Sequence, residues 1–308
     1  MGFVYPVASG RFFHSPFFLG DAGRQAALCI FQGGGLHGKM QAGAQKGTPG
    51  RERQVRNMLR EGLDGARIPA GCAVSSIFSK SGQRRSGEDI IRSIALMHDR
   101  SNGLGGGFAA YGIYPEYKNL YALHVFYQGK QAKDVCEAFI NEHFDVVNLS
   151  KIPTRKTPKI KDEPLIWRYF VEPLHTKLAE SQLDEDTFVS RCVIRVNSQI
   201  DGAYIFSSGK DMGVFKAVGY PEDVGEFYRL EDYKGYCWTA HGRYPTNTPG
   251  WWGGAHPFAL LDRSVVHNGE ISSYDANRRA IEMYGYQCNL LTDTEVITYI
   301  IDFLVRRR

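Results

Sequence analysis

With 308 residues, 43% of them hydrophobic and 23% charged, the chain has apolar material for one large globular domain or two modest ones. Its net charge of +4 is small and dispersed, which argues against a nucleic-acid binder with a concentrated basic face. No apolar run approaches the ~20 residues of a membrane helix, and six irregularly spaced cysteines without a Cys-x-x-Cys pair indicate reduced thiols in a cytoplasmic protein, not a disulfide framework or structural zinc.

Residues 1–57 hold seven Lys or Arg, only Asp21 and Glu52 as acids, many glycines and no apolar h-region, so they do not read as a secretory signal. Disorder, or a start assigned too far upstream with Met58 as the natural alternative, is the plainer reading. Ordered structure is expected from about Ile68. The run 72–78 reads as a strand, and 87–100 as a helix with Ile90, Ile91, Ile94, Ala95 and Met97 at helical spacing. The glycines of SNGLGGG break it. Strands are predicted over 108–114 and 120–127 with PEYKN as the turn between them, then a helix over 131–142. The Lys- and Pro-rich stretch 150–164 is a loop or insertion.

A strand over 165–171, a helix over 184–200, and two paired strands over 203–207 and 213–218 around a SGKD turn follow. Further short strands are predicted over 236–240, 258–261 and 264–267, and helices over 274–284 and 294–305, with Thr292 or Asp293 as the cap of the last. Strands and helices come in groups without regular βαβ alternation, so the fold class is α+β.

The chemistry concentrates between Trp238 and Glu295, in HGRYPTN (241–247), AHPF (255–258), VVHNGE (265–270) and TDTE (292–295). Arg can fork onto a carboxylate with two parallel hydrogen bonds. Asp can accept from an ammonium group. An Asn amide and a Gly backbone N–H can face a developing oxyanion. Together these groups suit a zwitterionic amino acid.

Each has a plainer reading by itself. Cys72 would be a small core residue, Arg243 a surface ion-pair partner, Asn268-Gly269 a hairpin turn, and Asp293 a helix cap. His241, His256 and His267 match no compact ligand motif, so no metal is expected. GLGGG (103–107) precedes a strand instead of opening a helix, which suits a close backbone approach better than phosphate binding. Trp251 and Trp252 read equally as a flap, a partner surface or core.

The combination of HGRYPTNT, HPF and HNGE, with GVFKAVG and YRLEDY before it, resembles the class II glutamine amidotransferases of the N-terminal nucleophile type. Within them it is most similar to the glutamate synthase amidotransferase domain of the stand-alone, archaeal type. The resemblance covers roughly residues 66–305.

It implies an αββα four-layer sandwich over 72–308, C-terminally incomplete or closing differently because family domains continue with further strands, after a leader or propeptide over 1–71. Cys72 in IPAGCAV is the implied nucleophile, although family members have Cys-Gly-Ile where Ala73-Val74 follow here. Arg243 with Thr246 would bind the glutamine α-carboxylate, Asn268 and Gly269 would form the oxyanion hole, Asp293 would hold the α-ammonium, and His256 would shape the pocket.

The implied reaction is glutamine hydrolysis through a γ-glutamyl thioester, with ammonia passed to a separate synthase subunit in nitrogen assimilation. That partner would carry FMN and iron–sulfur clusters; no cofactor is expected on this chain. The cysteine's own α-amine would serve as base, since its reference pKa of ~7.7–8.0 suits neutrality, so residues 1–71 would have to be removed. Two rivals are a non-catalytic glutamine-binding regulatory subunit and an N-terminal nucleophile amide hydrolase with another substrate.

Overall fold

The computed structural model describes residues 71–244 and 250–307, together with the backbone of two further strands, β1 (Phe18–Leu19) and β2 (Ala26–Phe31). In chain order follow β3 (Ala73–Phe78), β4 (Arg85–Ser86), α1 (Glu88–Ala95), β5 (Gly106–Tyr111), β6 (Tyr121–Tyr127), α2 (Lys130–His143), β7 (Phe144–Lys151), β8 (Leu165–Pro173), α3 (His175–Ser181) and α4 (Glu185–Gln199). Then come β9 (Ala203–Ser207), β10 (Met212–Ala217), α5 (Pro221–Phe227), β11 (Lys234–Gly235), β12 (Cys237–Gly242), β13 (Phe258–Leu260), β14 (Arg263–Asn268), α6 (Tyr274–Glu282) and α7 (Asp293–Arg306).

The chain is therefore mixed α and β, with mostly antiparallel sheets. One sheet runs β10-β5-β12-β3 and another β7-β8-β6-β9, each antiparallel throughout. A third runs β1-β2-β14-β13, in which β2 and β14 are parallel, and β11 pairs with β4.

Two sequence expectations fail here in an informative way. Strands β5 and β6 do not form a hairpin around PEYKN, and β9 and β10 do not pair around SGKD; the members of each pair lie in different sheets. Every residue of β5, β6 and β10 is buried. A strand covered on both faces needs neighbours and packing layers that a two-stranded ribbon lacks.

Alternation along β6 displays the two sides. Leu123, Val125 and Tyr127 join Cys136 and Ile140 of α2 and Val189 and Val193 of α4 in one core. Ala122 and Phe126 join Phe206 and Phe215 in the other, with the His124 ring 5.3 Å from Phe215. That second core continues to Ile90 and Ile94 of α1 and Val224 and Phe227 of α5, packed with Ile77, Phe108 and Trp238.

The helix expected over 87–100 stops at Ala95 and gives way to a 3-10 turn at His98–Arg100. Its buried stripe ends at Ile94, and Leu96 is exposed, so nothing holds a further turn against the sheet. Asp184 caps α4, its side chain accepting from the Thr187 amide at 3.0 Å. Seven elements escaped the sequence reading: β1, β2, β4, β7, α3, α5 and β11. Of these α5 carried a usable signal, Pro221 at its first turn.

Candidate active site

In the register of β3 and β12, Ala73 faces Gly242. Cys72 stands one residue before β3 and Arg243 one residue beyond β12, so strand pairing brings these two residues side by side, within electrostatic reach of each other. The Tyr244 amide donates to the Cys72 Sγ at 3.4 Å. Arg243 is anchored through its backbone: its N–H donates to Gly105 O at 2.7 Å, and its carbonyl accepts from Ser101 Oγ at 3.2 Å. Gly105 runs so close that a Cβ there would lie 3.3 Å from Arg243 Cδ and 3.3 Å from Ala255 Cβ. The glycine run at 103–107 thus provides close backbone approach. At Gly107 a Cβ would stand 2.2 Å from His256 O, which excludes any side chain.

Strand β14 is tied to β12 by a hydrogen bond from His241 Nε2 to His267 O, 2.9 Å. Its last residue, Asn268, places Oδ1 3.8 Å from where a Cβ on Gly71 would stand, so this amide borders the Gly71–Cys72 backbone. Asn268-Gly269 is not the turn of a hairpin; the β13–β14 hairpin closes at the opposite end, around Leu261–Asp262.

The α7 N-terminus completes the group. Thr292, not Asp293, is its cap, accepting from the Thr294 amide at 3.2 Å. The Asp293 carboxylate accepts from Ile271 N at 2.9 Å and Thr294 Oγ1 at 3.1 Å, and stands 3.7 Å from His267 Nδ1. Its side chain keeps 20% of its surface open, enough to meet a ligand.

The electrostatics link these groups. Burial pushes the Arg243 pKa down, while Cys72 and Asp293 both pull it back up. Burial raises the Cys72 pKa; the Tyr244 hydrogen bond and the charges of Arg243 and Arg100 oppose that without reversing it. The thiol is therefore protonated near neutrality and needs a base to become a nucleophile.

Beneath the site lies a stack of neutral imidazoles. His241 and His256 are stacked at 4.0 Å, and His256 Nε2 meets Thr294 Oγ1 at 2.8 Å. Burial pushes the His241 pKa to about 3 and lowers those of His256 and His267. His256 is thus a support beneath Thr294 and His241. Among the described residues no group of three or more His, Cys, Asp or Glu could hold a metal, and no helix is long and apolar enough to cross a membrane.

Cys72, Arg243, Asn268 and Asp293 are brought together from four separate elements. Thr246 lies outside the described residues. Arg100 was missed: its Nε reaches Cys72 O at 3.5 Å, and no motif surrounds it. Trp251 is 41% exposed and Trp252 8%, so the two readings of the pair divide between them.

A half-buried thiol beside an Arg, a carboxylate and an Asn amide is an arrangement suited to amide hydrolysis of an amino-acid substrate. The family model for class-II glutamine amidotransferases matches residues 119–298, more than half of the chain. The protein belongs to the class II glutamine amidotransferases. The matched range includes Arg243, Asn268 and Asp293 and begins after Cys72.

The chain is 55% identical over 240 residues to an uncharacterized protein of Archaeoglobus fulgidus, covering 77% of this chain and 63% of that one. It is 32% identical over 133 residues to the glutamine–fructose-6-phosphate aminotransferase of Sulfurisphaera tokodaii, covering 42% of this chain and 22% of that one. It is also 31% identical over 106 residues to the amidophosphoribosyltransferase of Methanocaldococcus jannaschii, covering 33% and 22%. The chain spans less than two thirds of the length of each of these relatives.

Proposed function

We propose that this protein hydrolyses glutamine to glutamate and ammonia with Cys72 as nucleophile, and delivers the ammonia to a partner synthase of the glutamate synthase type. The observation that carries this reading is the convergence of Arg243 and the Tyr244 amide on the Cys72 sulfur, with Asp293 within electrostatic reach of Arg243. The two charged side chains match the two charged ends of an α-amino acid, and the thiol stands at the start of β3 beside the β12 end that leads into Arg243.

In the proposed reaction the Cys72 thiol loses its proton and its sulfur attacks the side-chain amide carbon of glutamine. The Asn268 amide and the Gly269 N–H face the resulting oxyanion. The carbon–nitrogen bond breaks, the nitrogen takes up a proton and leaves as ammonia, and a γ-glutamyl thioester remains. Water attacks that thioester, releasing glutamate and the free thiol. Arg243, together with Thr246, holds the α-carboxylate and Asp293 the α-ammonium, while His256 supports the pocket from below.

The histidines nearby are buried and neutral with low pKa values, which makes them poor bases for the thiol. A free α-amine on Cys72 suits that task. The reading therefore includes cleavage of the Gly71–Cys72 bond, residues 1–71 serving as a propeptide and residues 72–308 as the amidotransferase domain.

Helix pairs α1/α5 and α2/α4 on the outer sides of the two antiparallel sheets support the four-layer αββα arrangement. The chain itself uses no cofactor in this scheme; FMN and iron–sulfur clusters reside on the partner. Free ammonia escapes by diffusion, so a docked partner is required for efficient transfer.

The test combines intact-mass analysis with a glutaminase assay. A species beginning at Cys72 that releases glutamate, with activity lost in Cys72→Ala, is expected. A full-length chain that binds glutamine and never turns it over would overturn the proposal in favour of a regulatory subunit.

A further inference from the structure

The inner residue of β10 is unusual for a strand buried on both faces. Lys216 follows Val214 and Phe215 and is wholly buried. A buried ammonium needs a partner, and this one has a backbone partner: Nζ donates to Gly253 O at 2.9 Å. The ring faces of Phe258 and Tyr204 flank it, 4.6 Å and 5.3 Å from Nζ. Burial pushes the Lys216 pKa down to about 7; Glu295, in the first turn of α7, opposes this as a remote counter-charge, and Arg243 adds to it.

Gly253 belongs to the segment that follows Arg243 in the chain and returns to its side. Gly250 packs on Leu104, a Cβ there lying 2.9 Å from Leu104 O, and Ala255 packs on Gly105 beside the Arg243 side chain. The Trp251 indole folds over Gly253 and Gly254, where added Cβ atoms would meet it at 2.1 Å and 2.5 Å. The segment thus forms a compact turn against the strand edge that carries Arg243. Its outer side walls a cavity of about 560 Å³ bounded by Phe126, Tyr204, Trp251, Trp252 and Leu290. On that side Trp252 anchors the turn, its Nε1 donating to Lys161 O at 3.2 Å and its ring packing edge-on against Phe126 and Phe227; the Lys216 contact holds the turn from within.

We propose that Lys216 is a positioning residue for the glutamine pocket: its Nζ donates to the Gly253 carbonyl and holds the 250–255 turn against the Arg243 side of the site. This rests on the reading of Arg243 as the carboxylate anchor. Lys216 touches neither the sulfur nor the substrate. It acts by setting the wall against which Arg243 is packed, and its loss lets that turn relax toward the cavity. Glu295 contributes by favouring the charged state of the lysine, and is itself held by the amides of Asn289 and Leu290 at 3.1 Å and 2.8 Å.

The test uses the full processed protein and two probes that report on different things. Iodoacetamide alkylates the Cys72 thiol without needing the pocket for the amino-acid end. The affinity label 6-diazo-5-oxo-L-norleucine needs both the thiol and that pocket. In Lys216→Met, KM for glutamine is expected to rise about tenfold with kcat within threefold, labelling by the diazo compound to slow about tenfold, and iodoacetamide alkylation to stay unchanged.

The double variant Lys216→Met/Glu295→Gln removes both buried titratable groups and is expected to give the same split. It carries the test if the single variant, with its uncompensated carboxylate, does not fold. Unchanged KM, equal slowing of both reagents, or failure of both variants to fold would overturn the proposal. An inactive wild type would instead count against the glutaminase reading itself.

Discussion

Replacing Arg243 by Gln tests the substrate reading most directly, because it trades a guanidinium for a neutral group that can still donate one hydrogen bond. Arg243 is only 9% exposed, so water does little to replace what the substitution removes. A hydrogen bond to a charged group contributes about 1.5–3 kcal/mol, and a fork onto a carboxylate contains two. One is lost outright and the other loses its charge, a total of about 3–4 kcal/mol, or roughly a 150- to 1,000-fold fall in kcat/KM for glutamine.

The assay measures glutamate release over a range of glutamine concentrations and compares glutamine with 4-aminobutanamide, which keeps the amide and the ammonium but lacks the α-carboxylate. The wild type should prefer glutamine strongly, and Arg243→Gln should lose most of that preference while handling 4-aminobutanamide as the wild type does. Retention of kcat/KM for glutamine within threefold, or an equal loss on both substrates, would refute the assignment.

Two further outcomes follow from the same geometry. Asn268→Ala should lower kcat by about 100- to 1,000-fold with little change in KM, the signature of a donor engaged only in the transition state; steady-state kinetics decide, and a rise in KM with kcat intact would count against it. The buried histidines should cost stability as pH drops below the ordinary histidine range. His124 and His241 are buried with pKa values pushed down to about 3, so the unfolded chain takes up protons that the native state refuses between about pH 6.5 and 3. The histidine contribution is a loss of stability with acid, while Glu295 and Asp262, pushed up by burial to about 7 and about 6, act in the opposite sense over the same range. Urea melts at pH 7.5, 6 and 5 should show His124→Gln losing less stability with acid than the wild type; an identical pH dependence in the two proteins would contradict it.

The groups of strands and helices were legible because their apolar periodicity is strong. Asp184 before a helix and Pro221 opening one are local signals with local causes. Which strand pairs with which was not legible. PEYKN and SGKD look like hairpin turns, yet each joins two sheets, because burial on both faces of β5, β6 and β10 outweighs the short connection. Lys216 inside a hydrophobic strand is visible as an oddity in GVFKAVG, but its acceptor lies 37 positions away.

For the site, the chain order supplied residue types and their grouping: HGRYPTN, HNGE and TDTE name an Arg, an Asn and an Asp suited to an amino acid, since those groups can fork onto a carboxylate, donate to an oxyanion and accept from an ammonium. Tertiary structure decided what no spacing could. The antiparallel register of β3 and β12 carries Cys72 across 171 positions to Arg243 and hands its sulfur the Tyr244 amide. Thr292 takes the helix cap and leaves Asp293 partly open beside them. Side-chain chemistry is local to a residue, whereas the distance between two functional groups is set by strand pairing and burial, which depend on the whole chain at once.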